Sequence, residues 1–369
     1  MTRTSRASKP TIRLTKPRFD FVLLTIILTL LTLGLIMVYD ASIVEAQQVF
    51  FDKTHFIAQQ LRWASLGLVL LAAAALTPLP AIKKYAPHAF FATVFLLALV
   101  IIPGLGTQVQ GARRWLTLGG FTFQPSELAK LTFLVYLAVM FEKKQNHRIF
   151  LASLVFIVIL VMLQPDLGTA IVITSSALSA YFLSGAPLLH FLAISSSGAI
   201  AALILIISSP YRRDRLATFL DPSRDPLGAS YHIRQVLLAL GSGGLLGTGI
   251  GRSLQKYQYL PEATTDSIFA VIAEETGFAG TLFVVGLFIW LSYRGFKIAA
   301  SQQDHFRSLL AASLTLLISI QALLNLGAMS ALVPLTGVPL PFISYGGSSL
   351  LVMLMASGLL LNISRYSHV

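Results

Sequence analysis

The chain has 369 residues, 55% of them hydrophobic and 11% charged, with a mean hydropathy of +0.77. Soluble domains carry roughly 25% charged residues, so this composition excludes a water-soluble globular protein and defines a polytopic membrane protein. The absence of cysteine excludes disulfides and thiolate chemistry, and the net charge of +12 is assigned to membrane topology and anionic lipid rather than to nucleic acid.

In chain order, residues 1–18 form a basic tail with six Lys/Arg and no acid. The apolar run that follows, FVLLTIILTLLTLGLIMVY, has the length of a bilayer span and lacks a cleavage site, so it reads as an uncleaved first helix. Further runs lie at about 62–79, 87–104, 127–142, 149–164, 167–185, 189–208, 267–292, 308–329 and 347–363. The expectation is an all-α protein with ten transmembrane helices in one membrane domain, residues 19–369. An even count puts both termini on one side. The segments then assigned to the cytoplasm hold 15 Lys/Arg and the short outer segments hold five. That imbalance places both termini inside. A long outer loop at about 209–266, between helices 7 and 8, holds the other seven.

Charges inside such helices are costly, roughly 2.5–3.5 kcal/mol each, so the polar residues near them need an account. Arg113 and Arg114, followed by Trp115, read as an interfacial anchor or as a fork for phosphate. Glu127 and Lys130 are three apart and share a helix face, as an ion pair or as part of a site. Ser126 and Asp166 read as N-caps. Within the long loop, Tyr231 to Leu240 is amphipathic, and the glycine-dense stretch after it suits a segment lying on or dipping into the outer interface. The loop VPLTGVPLPFISYGGSS, with Ser344 and Tyr345, reads as a rigid re-entrant path that must be buried or line a cavity.

The stretch YLPEATTDSIFAVIAEE carries four carboxylates into a membrane helix. Asp266 opens that helix, where a cap would account for it. It also closes a loop rich in arginine. Glu274 follows two turns later, about 12 Å along the same face, and Glu262 precedes it, so the three acids could form one track. A carboxylate at the outer mouth, beside cations, suits proton abstraction from a hydroxyl while the cations hold a phosphate leaving group. Arg212 and Arg213 are the loop arginines proposed for that task. A helix N-terminus is expected to favour the ionised carboxylate and weaken it as a base.

The segments GARRWL, FTFQPSELAK, QPDLGTA, FLDPSRDPLGASYHIRQ, LLALGSGGLLGTGIGRSLQKYQYLPEATTDSIFAVIAEETGFAG and VPLTGVPLPFISYGGSSLL resemble the SEDS family (shape, elongation, division and sporulation) over nearly the whole chain after the tail. The pieces FLDPxxDPLGASY, GGLLGTGIG and LLNISRY lean toward its division-type, FtsW-like branch rather than the elongation-type, RodA-like one. The resemblance implies a ten-helix peptidoglycan glycosyltransferase that polymerises lipid II at the outer face of the cytoplasmic membrane. The family's catalytic aspartate, in its LPEAHTDFIFA motif, falls on Asp266. Here the motif histidine is Thr264 and the phenylalanine is Ser267.

The resemblance also implies a divalent cation (Mg or Mn), a class B penicillin-binding protein of the FtsI type and, for a division member, the FtsQ–FtsL–FtsB subcomplex. Arg113, Arg114, Lys130, Glu127, Arg212, Arg213, Glu262, Glu274, Ser344 and Tyr345 are the candidate substrate-binding residues around Asp266. A lipid II flippase and a noncatalytic division scaffold are the rival readings. Alternating access would place a polar site near the midplane rather than at the outer face.

Overall fold

The computed structural model describes residues 19–109, 112–118, 121–143, 146–221, 228, 230–257 and 259–366. The basic tail, Lys144 and Arg224 lie outside these. The helices are α1 (Phe21–Phe50), α2 (His55–Leu76), α3 (Leu79–Ile101), α4 (Pro125–Lys143), α5 (His147–Met162), α6 (Leu167–Leu183) and α7 (Leu188–Ile207). Then come α8 (Pro210–Leu220), α9 (Tyr231–Gly243), α10 (Ile268–Ala300), α11 (His305–Met329) and α12 (Gly347–Ser364). All but α8 and α9 coincide with apolar runs of the sequence.

Seven helices (α1, α2, α3, α7, α10, α11 and α12) are long and apolar enough to cross a membrane by length and composition, among the described residues. The other three that match apolar runs fall short for visible reasons. Helices α5 and α6 have 16 and 17 residues. Helix α4 carries Glu127, Lys130, Glu142 and Lys143 within its 19 residues.

The all-α expectation needs one correction. Three short segments form an antiparallel sheet in the order β1 (Gly106–Val109), β2 (Ala112–Leu118), β3 (Phe121–Phe123). β-Branched and aromatic residues recur along GTQV, ARRWLTL and FTF and suit a pleated surface. Gly106 pairs with Leu116, and Leu116 with Phe123, while a bulge between Thr107 and Gln108 makes the register skip Arg114 on β2.

Helix α12 is almost wholly buried and packs along α2. Asn362 on α12 donates to the carbonyls of Ala74 and Thr77 at 2.8 and 2.6 Å, satisfying acceptors left open where α2 ends. Helix α7, by contrast, buries none of its residues.

Helix α10 is broken within its first third. Gly277 has φ 65° and ψ −163°, which only glycine adopts without strain. The break strips helical partners from neighbouring peptide groups, and the long loop supplies them. The amides of Phe278 and Ala279 donate to the carbonyls of Gly244 and Leu245 at 2.9 and 3.1 Å, and those of Thr248 and Gly249 donate to the carbonyls of Glu274 and Glu275 at 3.0 Å. Residues 244–249 are thus laced to α10 about 14 Å beyond its first residue. Leu245 and Leu246 in that lacing are 76% and 83% exposed.

Candidate active site

The turn before α10 carries Asp266, and the turn's own backbone and three other elements fix it. Glu262, with φ 51°, accepts from the amides of Thr265 and Ser267 at 3.2 and 3.0 Å. Asn325 of α11, fully buried, donates from Nδ2 to the carbonyls of Asp266 and Val338, each at 2.8 Å. The amide of Tyr345 donates to the carbonyl of Thr264 at 2.9 Å. His232 of α9 meets the Ser267 hydroxyl, Nε2 to Oγ 2.7 Å. The loop 338–344 is buried, as a re-entrant path requires: Val338, Leu340, Phe342, Ile343 and Ser344 are each at most 4% exposed.

Asp266 is not a helix cap. The N-cap position of α10 is Ser267, and no side-chain capping bond forms there. Its acidity also differs from what the helix N-terminus alone would give. Burial raises the Asp266 pKa from 3.8 to about 6, the Glu262 charge adds to this, Arg215 pulls it back, and Asp166 adds again. Desolvation and neighbouring acids outweigh the helix N-terminus. A carboxylate that titrates near 6 is a better match to a general base at neutral pH than an ordinary aspartate.

The arginine that acts on Asp266 is Arg215, on α8, rather than Arg212 or Arg213. Arg215 attracts the carboxylate and is held in place by a 3.0 Å bond from Nη1 to the Leu335 carbonyl. Arg212, on the same helix, is turned back onto the Leu205 carbonyl at 3.1 Å, and Arg213 is exposed. Arg114 donates to the carbonyls of Gln164 and Pro165 at 2.9 and 2.6 Å, so it clamps the break between α5 and α6. Arg113, its neighbour on β2, is half-buried.

Asp166 caps α6, accepting from the Thr169 amide at 3.1 Å, and also accepts from Gln124 Nε2 at 3.1 Å. Ser126 lies inside α4 rather than at its cap, buried with its hydroxyl unpartnered. Glu127 and Lys130 form a buried ion pair at 2.7 Å, and Lys130 also donates to Gln321 Oε1 at 2.7 Å. Ser344 accepts from the Leu340 amide at 2.8 Å, and Tyr345 donates to Gln59 Oε1 at 2.6 Å.

Glu274 and Glu275 do not extend the Asp266 track. They hold the long loop instead. Glu274 accepts from the Ser253 hydroxyl and from the Leu254 amide, the latter at 3.0 Å. Glu275 accepts from the Ser253 amide and from Lys256, both at 3.1 Å, and Lys256 also binds Asp40 of α1 at 2.8 Å.

Arg215, Asn325, Gln321, His232, Asp40 and Lys256 carry much of this architecture. Only tertiary neighbours reveal them, although the arginine count of the loop and the cost of a mid-helix Asn or Gln are faint signals. No group of three or more His, Asp or Glu side chains placed to hold a metal ion occurs among the described residues. Mg²⁺ takes one or two carboxylates and completes its shell with water and substrate phosphate, so a divalent ion here would lean on the substrate rather than on a protein cage.

The fold and the site define a multi-span helical membrane protein with a tuned carboxylate, an arginine and a histidine at one end of the bundle. The family model described as Cell cycle protein, FtsW/RodA/SpoVE, matches residues 21–369, and the chain belongs to that family. The stage V sporulation protein E of Bacillus subtilis is 41% identical over 95% of this chain and 98% of its own. The probable peptidoglycan glycosyltransferase FtsW of Trichlorobacter lovleyi is 39% identical over 94% of this chain and 93% of its own. Among solved structures, a chain from a peptidoglycan synthase complex that coordinates polymerization and crosslinking superposes with a TM-score of 0.78 at 29% identity, covering 95% of this chain and 98% of that one. The rod shape determining protein RodA of Thermus thermophilus does so with a TM-score of 0.71 at 28% identity, covering 95% and 98%.

Proposed function

We propose that this chain is a peptidoglycan glycosyltransferase that polymerises lipid II, with Asp266 as its general base. The carrying observation is Asp266 itself: a carboxylate not used as a cap, raised to about 6 by burial and Glu262, and opposed by Arg215. In the proposed reaction Asp266 takes the proton from the 4-hydroxyl of the acceptor GlcNAc. That oxygen attacks the anomeric carbon of the donor MurNAc, undecaprenyl pyrophosphate leaves, and the configuration inverts from α to β. Arg215 is the first candidate to steady the pyrophosphate, with Arg113, Arg212 and Arg213 as further cations near that end of the bundle. No step is assigned to a divalent ion.

The proposed topology has ten crossings in one membrane domain, both termini in the cytoplasm, and α8, α9 and the Asp266 turn at the outer face. Exposed Leu245, Leu246 and Ile250 then sit in the outer leaflet. The structural relative from a synthase complex supports a class B penicillin-binding protein as partner. A septal role, with an FtsQ–FtsL–FtsB-type activator, follows from the division-type motifs. An elongation role is the second reading, favoured by the likeness to RodA.

The test is polymerisation of labelled lipid II by purified protein with its penicillin-binding partner, wild type against Asp266→Asn. Glycan strands from wild type and none from a folded variant support the proposal. Equal products from both would move the search for a base to Glu262.

A further inference from the structure

Serine at an N-cap ordinarily turns its hydroxyl inward to accept an amide of the first turn. Ser267 does not. It is fully buried, makes no capping bond, and its hydroxyl lies 2.7 Å from Nε2 of His232, 35 positions earlier on α9. A bond across the tertiary structure has replaced a local one, at the residue next to the proposed base.

The surroundings of His232 fit a fixed, uncharged imidazole. Burial, then Arg215, push its pKa down to about 4, while Glu262 pulls the other way. Arg215 and Glu262 also act on Asp266, so the imidazole and the carboxylate share one electrostatic neighbourhood. A neutral His232 keeps the Ser267 bond at any pH where Asp266 is ionised, and it adds no second cation beside Arg215. The sequence adds a further point. The motif to which this stretch is similar has His and Phe where Thr264 and Ser267 stand. A phenylalanine has no group to offer an imidazole, whereas the Ser267 hydroxyl does.

We propose that His232 is a positioning residue for Asp266, acting through the Ser267 hydroxyl to lock α9 onto the turn that carries the base. This rests on the reading of Asp266 given above. Helix α9 is held elsewhere by Ile233, Val236 and Ala239, all buried. The His232–Ser267 bond is therefore not needed to seat the helix. Its distinctive consequence is the orientation of the peptide between Asp266 and Ser267, whose carbonyl Asn325 also holds.

The experiment is lipid II polymerisation kinetics on full-length protein with its penicillin-binding partner, for His232→Leu, His232→Gln, Ser267→Ala and the His232→Leu/Ser267→Ala double variant, each with a melting temperature. Losing one hydrogen bond that aligns the base predicts a kcat about tenfold lower for His232→Leu and for Ser267→Ala, with KM for lipid II within about twofold. The double variant should lose no more than either single one, because both remove the same bond. His232→Gln, which can still reach the hydroxyl, should recover most of kcat.

Independent, multiplying losses in the double variant would overturn the proposal. So would a loss in His232→Gln equal to that in His232→Leu, or losses that follow the melting temperature. Asp266→Asn, run beside them, separates the two claims. An active Asp266→Asn sinks the reading of the base itself. An inactive one with a fully active His232→Leu sinks only the role of His232.

Discussion

Asp266, the proposed base, is held in the folded chain against its own preference for the ionised form. Its carboxyl is raised from 3.8 to about 6 in the folded chain. A raised acid stabilises the fold when protonated, so the folded state carries no penalty below about pH 4 and the full penalty above about pH 6. At pH 7 that cost is on the order of 2–3 kcal/mol. Asp266→Asn is expected to raise the melting temperature at pH 7 by a few degrees, to gain little at pH 4, and to abolish polymerisation. A lower melting temperature at pH 7 would contradict the burial argument. The same shift sets the acid limb of the rate: activity should fall as pH drops through about 6. Because Arg215 lowers the Asp266 pKa, Arg215→Gln should move that limb to higher pH as well as reduce kcat, and Arg215→Lys should move it less. A pH–rate profile with an unmoved limb in Arg215→Gln would separate Arg215 from Asp266.

At the scale of elements, the decisive feature is the lacing of residues 244–249 to the broken α10. A Cβ on Gly247 would stand 2.1 Å from the Glu275 carbonyl oxygen, at φ 80°. Backbone cannot yield that distance without giving up the four bonds that bridge the break. Gly247→Ala is therefore expected to destabilise the protein by more than about 2 kcal/mol. Thermal unfolding in detergent checks it, and a melting temperature equal to wild type would mean the lacing is dispensable. The apolar period of the sequence shows a helix over 267–292 but gives no sign that Gly277 interrupts it, because a glycine inside an apolar run looks the same whether the helix continues or breaks. Helix α9 was legible, since its amphipathic pattern is local. The β1–β2–β3 sheet is not, because its strands are only three to seven residues long and too short to show a clear alternation.

Across the whole molecule, Lys256 ties the long loop to two helices, with Asp40 on α1 and Glu275 on α10 both at its ammonium. Removing one member of a buried ion cluster leaves charge uncompensated, at a cost of about 3–5 kcal/mol. Lys256→Met should lower the melting temperature strongly, and adding Asp40→Asn should recover part of the loss. Additive losses would show that the three groups do not act as a unit. The absence of cysteine makes topology directly measurable. In intact cells an impermeant maleimide should label Arg252→Cys and spare Gln302→Cys until the membrane is opened. The reverse pattern would invert the proposed orientation.

The positions of the helices that follow apolar runs, the amphipathic α9, the pairing of Glu127 with Lys130, the capping by Asp166 and the choice of Asp266 as candidate base are all readable from the sequence. Each depends on hydrophobic period, local spacing or a contiguous motif. Other features were decided only when distant segments met: which arginine faces Asp266, whether that residue caps α10 or stays free, where its acidity lies, and what Glu274 and Glu275 are for. Those properties come from desolvation and from charges brought close by α8, α9, α11 and the 338–344 loop, and no spacing along the chain encodes them.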